Sequence, residues 1–454
     1  MKRTPILDSD FVPAVLWNRA FEKEAASSSD FVTIGLFRDE LVVARRTLKV
    51  LPDVDRSFVY VERMLKSLLW AIGGNRVLFD GPDALFQRLG KHYFDSAIGR
   101  FDSEIIGDKI YDHAIQFEKA PADEIPNPSQ EGAALGRHLD GCRIGFDLGG
   151  SDRKCAAVID GEVVFSEEIP WDPYFEENPQ YHFDGTMDTL QRAAEYLPRV
   201  DAIGGSAAGI YVNNEVRVAS LFRGVPADLF EEKVRPIFKQ LKEAWNGIPF
   251  DVVNDGEVTA LAGAMSLNDD AVLGISMGTS LAAGYVTPEG NITSWLNELA
   301  FVPVDYRENG PVDEWSGDAG CGVQFFSQQG VARLAPLAGI EFPADTPFAE
   351  QLVEVQRLMA EGDERARKVY ETIGVCFGYT VAHYSDFYDF RNLLILGRVT
   401  SGEGGQIIIE KAEEVLNAEF LALAQKISIT TPDEQMKRHG QAVAAASLPI
   451  IGGK

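Results

Sequence analysis

Alternating and continuous runs of apolar residues predict a small α/β segment at the start of the chain. FVTIGLF and LVVARRTLKV have the apolar pattern of strands, and Arg38-Asp39-Glu40 between them predicts a hairpin turn. Apolar residues recur at helical spacing in VERMLKSLLWAIG, and NRVLFDGPDALFQRLGKHY has the pattern strand, turn, helix. These elements predict an N-terminal α/β domain over residues 1–135, without a chemical motif that would define its role.

A segment with few large apolar residues follows this domain. KAPADEIPNPSQEGA, residues 119–133, contains three prolines and several polar residues that favour turns. Such a composition is typical of a linker, so we expect a domain boundary here.

The rest of the chain repeats one arrangement, a hairpin closed by glycines and followed by helices. CRIGFDLGGSDRKCAAVIDGEVVFSEEI predicts three strands, and AVLGISMGTSLAAGYV predicts a second hairpin of the same kind. Between these two hairpins, FEEKVRPIFKQLKEAW predicts one amphipathic helix, and IPFDVV predicts a strand. Later in the chain, residues 364–388 predict a long helix, which is followed by the predicted strand NLLILG. We therefore predict two similar α/β lobes, 141–265 and 266–454, with the C-terminal helix returning to the first.

Composition and charge narrow the class of protein. The 454 residues are 45% hydrophobic, and 69 acidic against 42 basic residues give a formal charge of −27. This charge repels nucleic acid and anionic membrane surfaces, so neither is an expected partner. The sequence lacks a run of about twenty apolar residues, and the start MKRTPILDSD lacks the apolar stretch of a signal peptide. Four dispersed cysteines are typical of reduced thiols, and we expect a cytoplasmic protein.

The first glycine turn is a candidate phosphate site. Gly149, Gly150 and Ser151 join two predicted strands, and glycines allow backbone N–H groups to point at phosphate oxygens. Asp147, at the end of the first strand, is placed to hold a hydrated Mg²⁺, and Lys154 either adds a positive charge or is solvated. Glycine turns without ligands are more common than those with them, so this turn alone is a weak signal.

Two later turns strengthen the prediction. The second turn contains Gly278, Thr279 and Ser280, which add two hydroxyls to the backbone donors. The third follows NLLIL, where the backbone could approach a base or ribose, and its candidate cofactor-binding residues are Gly397, Gly402, Gly404 and Gly405. Three such turns, each at the end of a strand, predict that they converge on one nucleotide triphosphate.

Asn254 and Asp255 lie between these turns, after the strand IPFDVV. A carboxylate at the carboxyl end of a strand can accept a hydroxyl proton and act as general base. The alternative is structural: Asn254 caps the next helix, with Glu257 completing a capping box. Both readings can hold, because Asn254 can cap while Asp255 faces a cleft.

These motifs together resemble the ROK family of sugar kinases, within the actin–hexokinase–Hsp70 ATPase superfamily. The resemblance spans residues 143–454: DLGGSDRKCAAVIDG and MGTSLAAGYV are similar to its phosphate motifs, NDGEVTALAG to its Asn-Asp motif, and LGRVTSGEGG to its adenosine loop. AIGGSAAGIYVNNEV, which contains Ser206, resembles the strand beside the sugar. The resemblance implies a two-lobed actin-like ATPase fold of the ribonuclease H type, extended by the N-terminal α/β domain. It also implies a dimeric kinase that uses ATP and Mg²⁺ to phosphorylate a sugar or polyol. In such a kinase, Asp255 would be the general base, and the sugar would be bound by Asn254, Ser206 and Glu298.

The sequence also departs from the family pattern. The family's Glu-x-Gly-His segment resembles residues 298–301, where Glu298 is kept but Phe301 replaces the histidine. Its cysteine-rich zinc motif resembles GDAGCGVQFFSQQG, where Cys321 is the single remaining thiolate. One thiolate does not make a structural zinc site, so we predict no zinc.

Two other functions fit parts of the sequence. A nucleotide- or sugar-binding sensor of the same fold would explain the altered sugar motif, although a pure binder has no need of Asp255. A serine hydrolase would use Ser276 in Gly-Ile-Ser-Met-Gly, with His383 or His439 as base. That motif requires a helix directly after the nucleophile, whereas this sequence predicts a turn and a strand.

Overall fold

The computed structural model describes residues 1–38, 40–128, 135–432 and 440–452. The chain forms two compact units, which are discontinuous in sequence. Unit one contains Met1–Glu131, Ile275–Ala283 and Trp295–Thr431; unit two contains Gly132–Gly274, Gly284–Ser294 and Pro432–Lys454. The predicted division at residues 135 and 265 stays a prediction. Among the described residues, every helix falls short of the length or the apolar character that crossing a bilayer requires.

Residues 1–128 contain a four-stranded sheet in the order β2-β1-β3-β4. Its strands are β1 (Phe31–Arg38), β2 (Leu41–Lys49), β3 (Arg76–Asp80) and β4 (Gln116–Lys119), and its helices are α1 (Ala14–Ala25), α2 (Val54–Ala71), α3 (Asp83–Asp95) and α4 (Ala97–Asp102). The antiparallel pair β1–β2 confirms the predicted hairpin, and β3–α3 confirms the predicted strand, turn and helix. Asp39 of the hairpin turn and residues 129–133 of the predicted linker lie outside the described residues.

The N-terminal residues pack closely on the later part of unit one. The Asp8 carboxylate binds the guanidinium groups of Arg307 and Arg333, at 2.5 and 2.7 Å. Phe11 contacts Phe325 with ring centroids 5.4 Å apart. Residues 1–128 therefore share a core with residues 295–431.

A second four-stranded sheet has the order β13-β12-β14-β15. Its strands are β12 (Val272–Met277), β13 (Leu281–Val286), β14 (Asn392–Leu396) and β15 (Ser428–Thr430). The helices of this part of the chain are α9 (Gln328–Leu337), α10 (Phe348–Ala360), α11 (Glu364–Tyr384), α12 (Glu403–Glu419) and α13 (Leu421–Lys426). The long helix predicted over 364–388 is confirmed as α11, which ends at Tyr384.

Unit two is built on a five-stranded sheet in the order β11-β8-β5-β6-β7, beside a small β9–β10 hairpin. The strands are β5 (Cys142–Leu148), β6 (Asp152–Ile159), β7 (Glu162–Pro170), β8 (Ala202–Ala207), β9 (Ile210–Val212), β10 (Glu215–Val218) and β11 (Phe250–Asn254). The helices are α5 (Pro179–Ala194), α6 (Ala227–Leu229), α7 (Ile237–Ala244), α8 (Asp255–Leu267) and α14 (Gln441–Ala446). Gly145 and Gly204 let the backbone of α14 lie directly on β5 and β8, because a side chain at either glycine would collide with a carbonyl of that helix.

The predicted single helix over FEEKVRPIFKQLKEAW is wrong. Phe230–Val234 forms a short π-helical turn, and α7 begins at Ile237. Pro236 stands between them, and proline interrupts a helix because it lacks an N–H and its ring collides with a preceding carbonyl.

Candidate active site

The polar residues Asp147, Ser206 and Asn254 lie together at one edge of the sheet of unit two. Strands β5, β8 and β11 are parallel neighbours, with Asp147 opposite Ser206 and Ala207 opposite Asn254. Because parallel strands end at the same edge, the end of β5 and the start of α8 meet there. The sequence predicted each of these residues separately, and the register of the sheet brings them together.

Asp147 is a buried carboxylate. Its Oδ1 accepts a hydrogen bond of 2.6 Å from the Ser206 hydroxyl, and 7% of the residue is exposed. Burial raises its pKa, because an anion loses water contacts there. The Lys154 side chain, opposite Asp147 in the β5–β6 pair, lies 3.3 Å from Asp152. Burial opposes the charge of Lys154, but the Asp147 and Asp152 carboxylates outweigh it and raise the lysine pKa.

Asp255 is the first residue of α8 and has an environment suited to a base. Burial, with the negative charge of Asp147, raises its pKa to about 6, and hydrogen bonding to the Gly256 backbone only partly offsets this. Its Oδ1 lies 3.0 Å from the Gly256 nitrogen. A pKa near neutrality suits a group that must both accept and release a proton at physiological pH.

Asn254 caps α8 and also holds the loop after β8. Its Oδ1 accepts a hydrogen bond from the Gly256 N–H at 2.7 Å, and its Nδ2 donates to the Gly209 carbonyl at 2.6 Å. The Tyr211 hydroxyl donates to Ala208 at 3.0 Å in the same loop. The sequence did not indicate this hydrogen bond, because tyrosine in a strand is typical of ordinary packing.

The first glycine turn uses part of its hydrogen-bonding capacity internally. The Gly149 N–H donates to the Asp152 carbonyl at 2.9 Å, which closes the hairpin. The Ser151 hydroxyl donates to the Asp152 carboxylate at 3.0 Å. Phosphate binding at this turn would therefore use the N–H groups of Gly150 and Ser151.

An aromatic segment covers this turn. The Trp171 Nε1–H donates to the Gly149 carbonyl at 2.7 Å. The Tyr174 hydroxyl lies so close to Gly150 that a side chain there would collide with it. The Arg223 guanidinium lies 4.1 Å from the centroid of the Tyr174 ring, an attractive cation–π contact.

The second and third turns lie side by side in unit one. Gly278 donates its N–H to the Ser280 carbonyl and accepts one from Gln328, both at 2.9 Å, while Thr279 and Ser280 are exposed. Gly397 has φ 98° and approaches the end of β12, where a Cβ atom would lie 2.5 Å from the Met277 carbonyl oxygen. The convergence of all three turns on one triphosphate stays a prediction.

The remaining glycines of the third turn begin a helix. Gly402, with φ 70°, is the N-cap of α12, and Gly404 and Gly405 are buried in its first turn. A side chain at Gly404 would collide with the Tyr370 ring, and one at Gly405 with the Thr400 carbonyl. Close packing accounts for these two glycines, whose role in cofactor binding stays a prediction.

Glu298 lies in a segment attached to α2. Its N–H donates to the Trp70 carbonyl at 3.0 Å, and the residue is half-buried. Phe301, at the position of the family histidine, packs on the rings of Trp70 and Phe101, with centroids 4.3 and 5.5 Å away.

Cys321 is buried beside an ion-pair network. Its Sγ lies 3.8 Å from the Asp318 carbonyl oxygen, and burial raises the thiol pKa to about 12, so the group stays protonated. Within the described ranges, no cluster of three or more His, Cys, Asp or Glu side chains is arranged to hold a metal ion.

The ion-pair network itself links α2 to the loop before Cys321. Lys66 Nζ lies 2.9 Å from Asp102 and 3.0 Å from Asp318, and Arg63 binds Asp318 at 2.6 Å. Burial opposes both charges, but the cations lower the pKa of Asp318 and the carboxylates raise that of Lys66. The sequence analysis missed this network. The feature that could have indicated it is the pair of basic residues, Arg63 and Lys66, inside the apolar stretch VERMLKSLLWA, because a buried cation needs an acidic partner.

Ser276 does not have the context of a hydrolase nucleophile. It lies within β12, and the next element is β13, whereas the motif requires a helix after the nucleophile. His383 is buried, which lowers its pKa to about 4, and His439 lies outside the described residues.

Comparisons with known proteins define the class of fold. No family model and no curated protein matches this sequence. The ROK hexokinase from Thermus thermophilus is similar in structure, with 19% sequence identity, a TM-score of 0.53, and coverage of 67% of this chain and 96% of the hexokinase. A ROK family transcriptional regulator, a homolog of the E. coli MLC protein, has 19% identity and a TM-score of 0.53 over 68% of this chain and 79% of its own.

These likenesses confirm the predicted fold class, a mixed α/β fold of the actin-like ATPase type. Within that class the chain has the ROK type of fold. The hexokinase and the regulator share this fold and differ in function, so the function of this protein has to be inferred from its site residues.

Proposed function

We propose that this protein transfers the γ-phosphoryl group of ATP to a hydroxyl of a sugar or similar polyol. The observation that carries the proposal is Asp255, a carboxylate at the end of a parallel strand with a pKa of about 6. It would accept the proton of the attacking hydroxyl. Glu298 would bind the acceptor directly, and Ser206 and Asn254, whose polar groups already bond to Asp147, Gly209 and Gly256, would line the acceptor site. The turns at 149–151 and 278–280 would bind phosphate oxygens, with Gly397 and Gly402 near the nucleoside.

Asp147 fits the role of a magnesium residue. Its carboxylate is buried and one oxygen accepts the Ser206 hydroxyl. Burial raises its pKa, and Lys154 only partly offsets this, so further positive charge would stabilise the anion. A hydrated Mg²⁺ would supply that charge and neutralise the phosphates during transfer. Lys154 and the N–H groups of Gly150 and Ser151 would orient the phosphates.

The direct test measures ADP release with Mg²⁺ and ATP against a panel of hexoses, hexosamines and polyols. We expect acceptor-dependent ADP release with at least one sugar, because a positioned base has little use in a protein that only binds. Tight ATP binding without turnover on any acceptor would contradict the proposal.

The pH dependence should follow the ionisation of Asp255. The base works when deprotonated, so kcat should rise with increasing pH and level off above about 6. Mg²⁺ held at Asp147 would move this rise to lower pH, because it would offset the Asp147 charge that helps to raise the pKa of Asp255. The measurement is kcat from about pH 5 to about pH 8 with the best acceptor. A flat profile, or a fall with increasing pH in this range, would assign the proton transfer to another group.

A second candidate function is a nucleotide- or sugar-binding regulator. The observation that favours it is Tyr174, which lies against Gly150 and covers the first turn. In a regulator, Tyr174→Ala would tighten ATP binding without creating turnover, whereas in a kinase it would alter turnover as well.

A further inference from the structure

The segment that carries Glu298 binds the end of helix α2. Leu296, Asn297 and Glu298 donate their N–H groups to the carbonyls of Ile72, Ala71 and Trp70, at 3.2, 2.9 and 3.0 Å. The last carbonyls of a helix have no partner within the helix and must be satisfied from outside. Residues 296–298 satisfy them here.

Side chains reinforce this contact from two directions. The Tyr388 hydroxyl lies 3.1 Å from Asn297 Oδ1 and 3.4 Å from the Ala71 carbonyl oxygen, so it joins the segment to the end of the helix. On the other side, the Trp70 ring packs on Phe301, and its Nε1–H donates to Asp102 at 2.9 Å.

The Trp70 ring is held by the buried carboxylate of Asp102, which is itself part of an ion pair. Asp102 accepts from both Trp70 and Lys66, and Lys66 also binds Asp318. A buried ion pair of this kind tolerates little displacement, because moving one partner leaves an uncompensated charge in the protein interior. The end of α2 is therefore a rigid support for residues 296–301.

We propose that the end of helix α2 acts in the reaction by positioning Glu298 for the acceptor, with two positioning residues: Trp70 of α2, and Tyr388, which joins the end of α2 to Asn297. The proposal rests on the proposed function in one respect, the binding of acceptor hydroxyls by Glu298. A displacement of the 296–298 backbone moves the Glu298 carboxylate directly, because the Glu298 N–H is itself one of the three attached groups. Acceptor binding should therefore depend on contacts made by a region that bears no catalytic group.

The test compares two tyrosine-to-phenylalanine variants that each lose one buried hydroxyl. Tyr388→Phe removes the hydroxyl whose single proton is donated to Asn297 Oδ1 or to the Ala71 carbonyl. The matched control, Tyr379→Phe, removes a hydroxyl elsewhere in unit one. That hydroxyl donates to the Arg3 carbonyl or to Glu419, both at 3.0 Å, and accepts from the Arg3 N–H at 3.2 Å. Tyr379 and Tyr388 are 1% and 2% exposed, so the two variants change packing equally little.

The first readout is amide hydrogen exchange in a peptide covering residues 295–301 of the full chain. We expect exchange about three- to tenfold faster in Tyr388→Phe, as the loss of one buried hydrogen bond predicts, and unchanged in Tyr379→Phe. Equal exchange in Tyr388→Phe and the wild type would overturn the proposal.

The second readout separates KM from kcat, with the panel sugar that the wild type phosphorylates fastest. We expect Tyr388→Phe to raise the acceptor KM about three- to tenfold, with kcat and the KM for ATP nearly unchanged. Faster exchange with an unchanged acceptor KM would overturn the link between α2 and acceptor binding. If the wild type releases no acceptor-dependent ADP, the proposed function has failed, and the exchange comparison alone decides whether α2 holds the segment.

Discussion

Replacing Asp255 by asparagine is expected to lower kcat for sugar phosphorylation by about 10²–10⁴-fold, the usual contribution of a positioned general base. Asparagine keeps the shape of the side chain and an oxygen that can accept from the Gly256 N–H, but it does not take up the hydroxyl proton. ATP affinity should be unchanged, because the proposed phosphate contacts lie in the glycine turns. The measurements are acceptor-dependent ADP release and equilibrium binding of ATP.

The matched control is Asp251→Asn. Asp251 lies near the start of β11, the strand that ends just before Asp255, and burial raises its pKa as well. Asp251 pairs with Gly204 near the start of the strand, whereas Asn254 at the other end pairs with Ala207 beside the candidate site, so the replacement of Asp251 should leave kcat close to the wild-type value. Equal losses in both variants would point to a general disturbance of β11, and undiminished turnover in Asp255→Asn would remove Asp255 from the mechanism.

Replacing Lys66 by methionine is expected to lower the free energy of unfolding by about 3–5 kcal/mol, the cost of breaking a buried ion pair by removing one partner. Lys66 is fully buried and contacts both Asp102 and Asp318 within 3.0 Å. Methionine fills a similar volume, so the loss reports the charge of Asp102 left without its cation, and of Asp318 left with Arg63 alone, rather than a cavity. Urea denaturation followed by tryptophan fluorescence measures the change.

Lys426→Met is the control for this measurement. Lys426 pairs with Asp389 at 2.6 Å in the same unit, with 46% and 68% of the two side chains exposed. Exposed pairs contribute about 0–1 kcal/mol, so this variant should unfold almost as the wild type does. A loss in Lys66→Met no larger than that of the control would show that the network does not support unit one.

Local pattern was enough for much of the fold and for the first residues of the site. The β1–β2 hairpin, strands β5 to β7 and helix α11 follow from apolar spacing and from turn residues adjacent in sequence. Asp147 and Asp255 were predicted because each stands at the carboxyl end of an apolar strand. The helix predicted across Pro236 failed because the apolar spacing continued through a residue that cannot continue a helix.

What the sequence by itself determined is the order of strands, turns and helices, and the kinds of side chain that end them. The tertiary structure decided which of these ends meet: the register that sets Ser206 against Asp147, and the contact that joins α2 to residues 296–298. It also decided that Arg63 binds Asp318, 255 positions later. The physical reason is that strands and turns form from neighbouring residues, whereas a buried charge becomes stable only when distant segments supply its partner during packing.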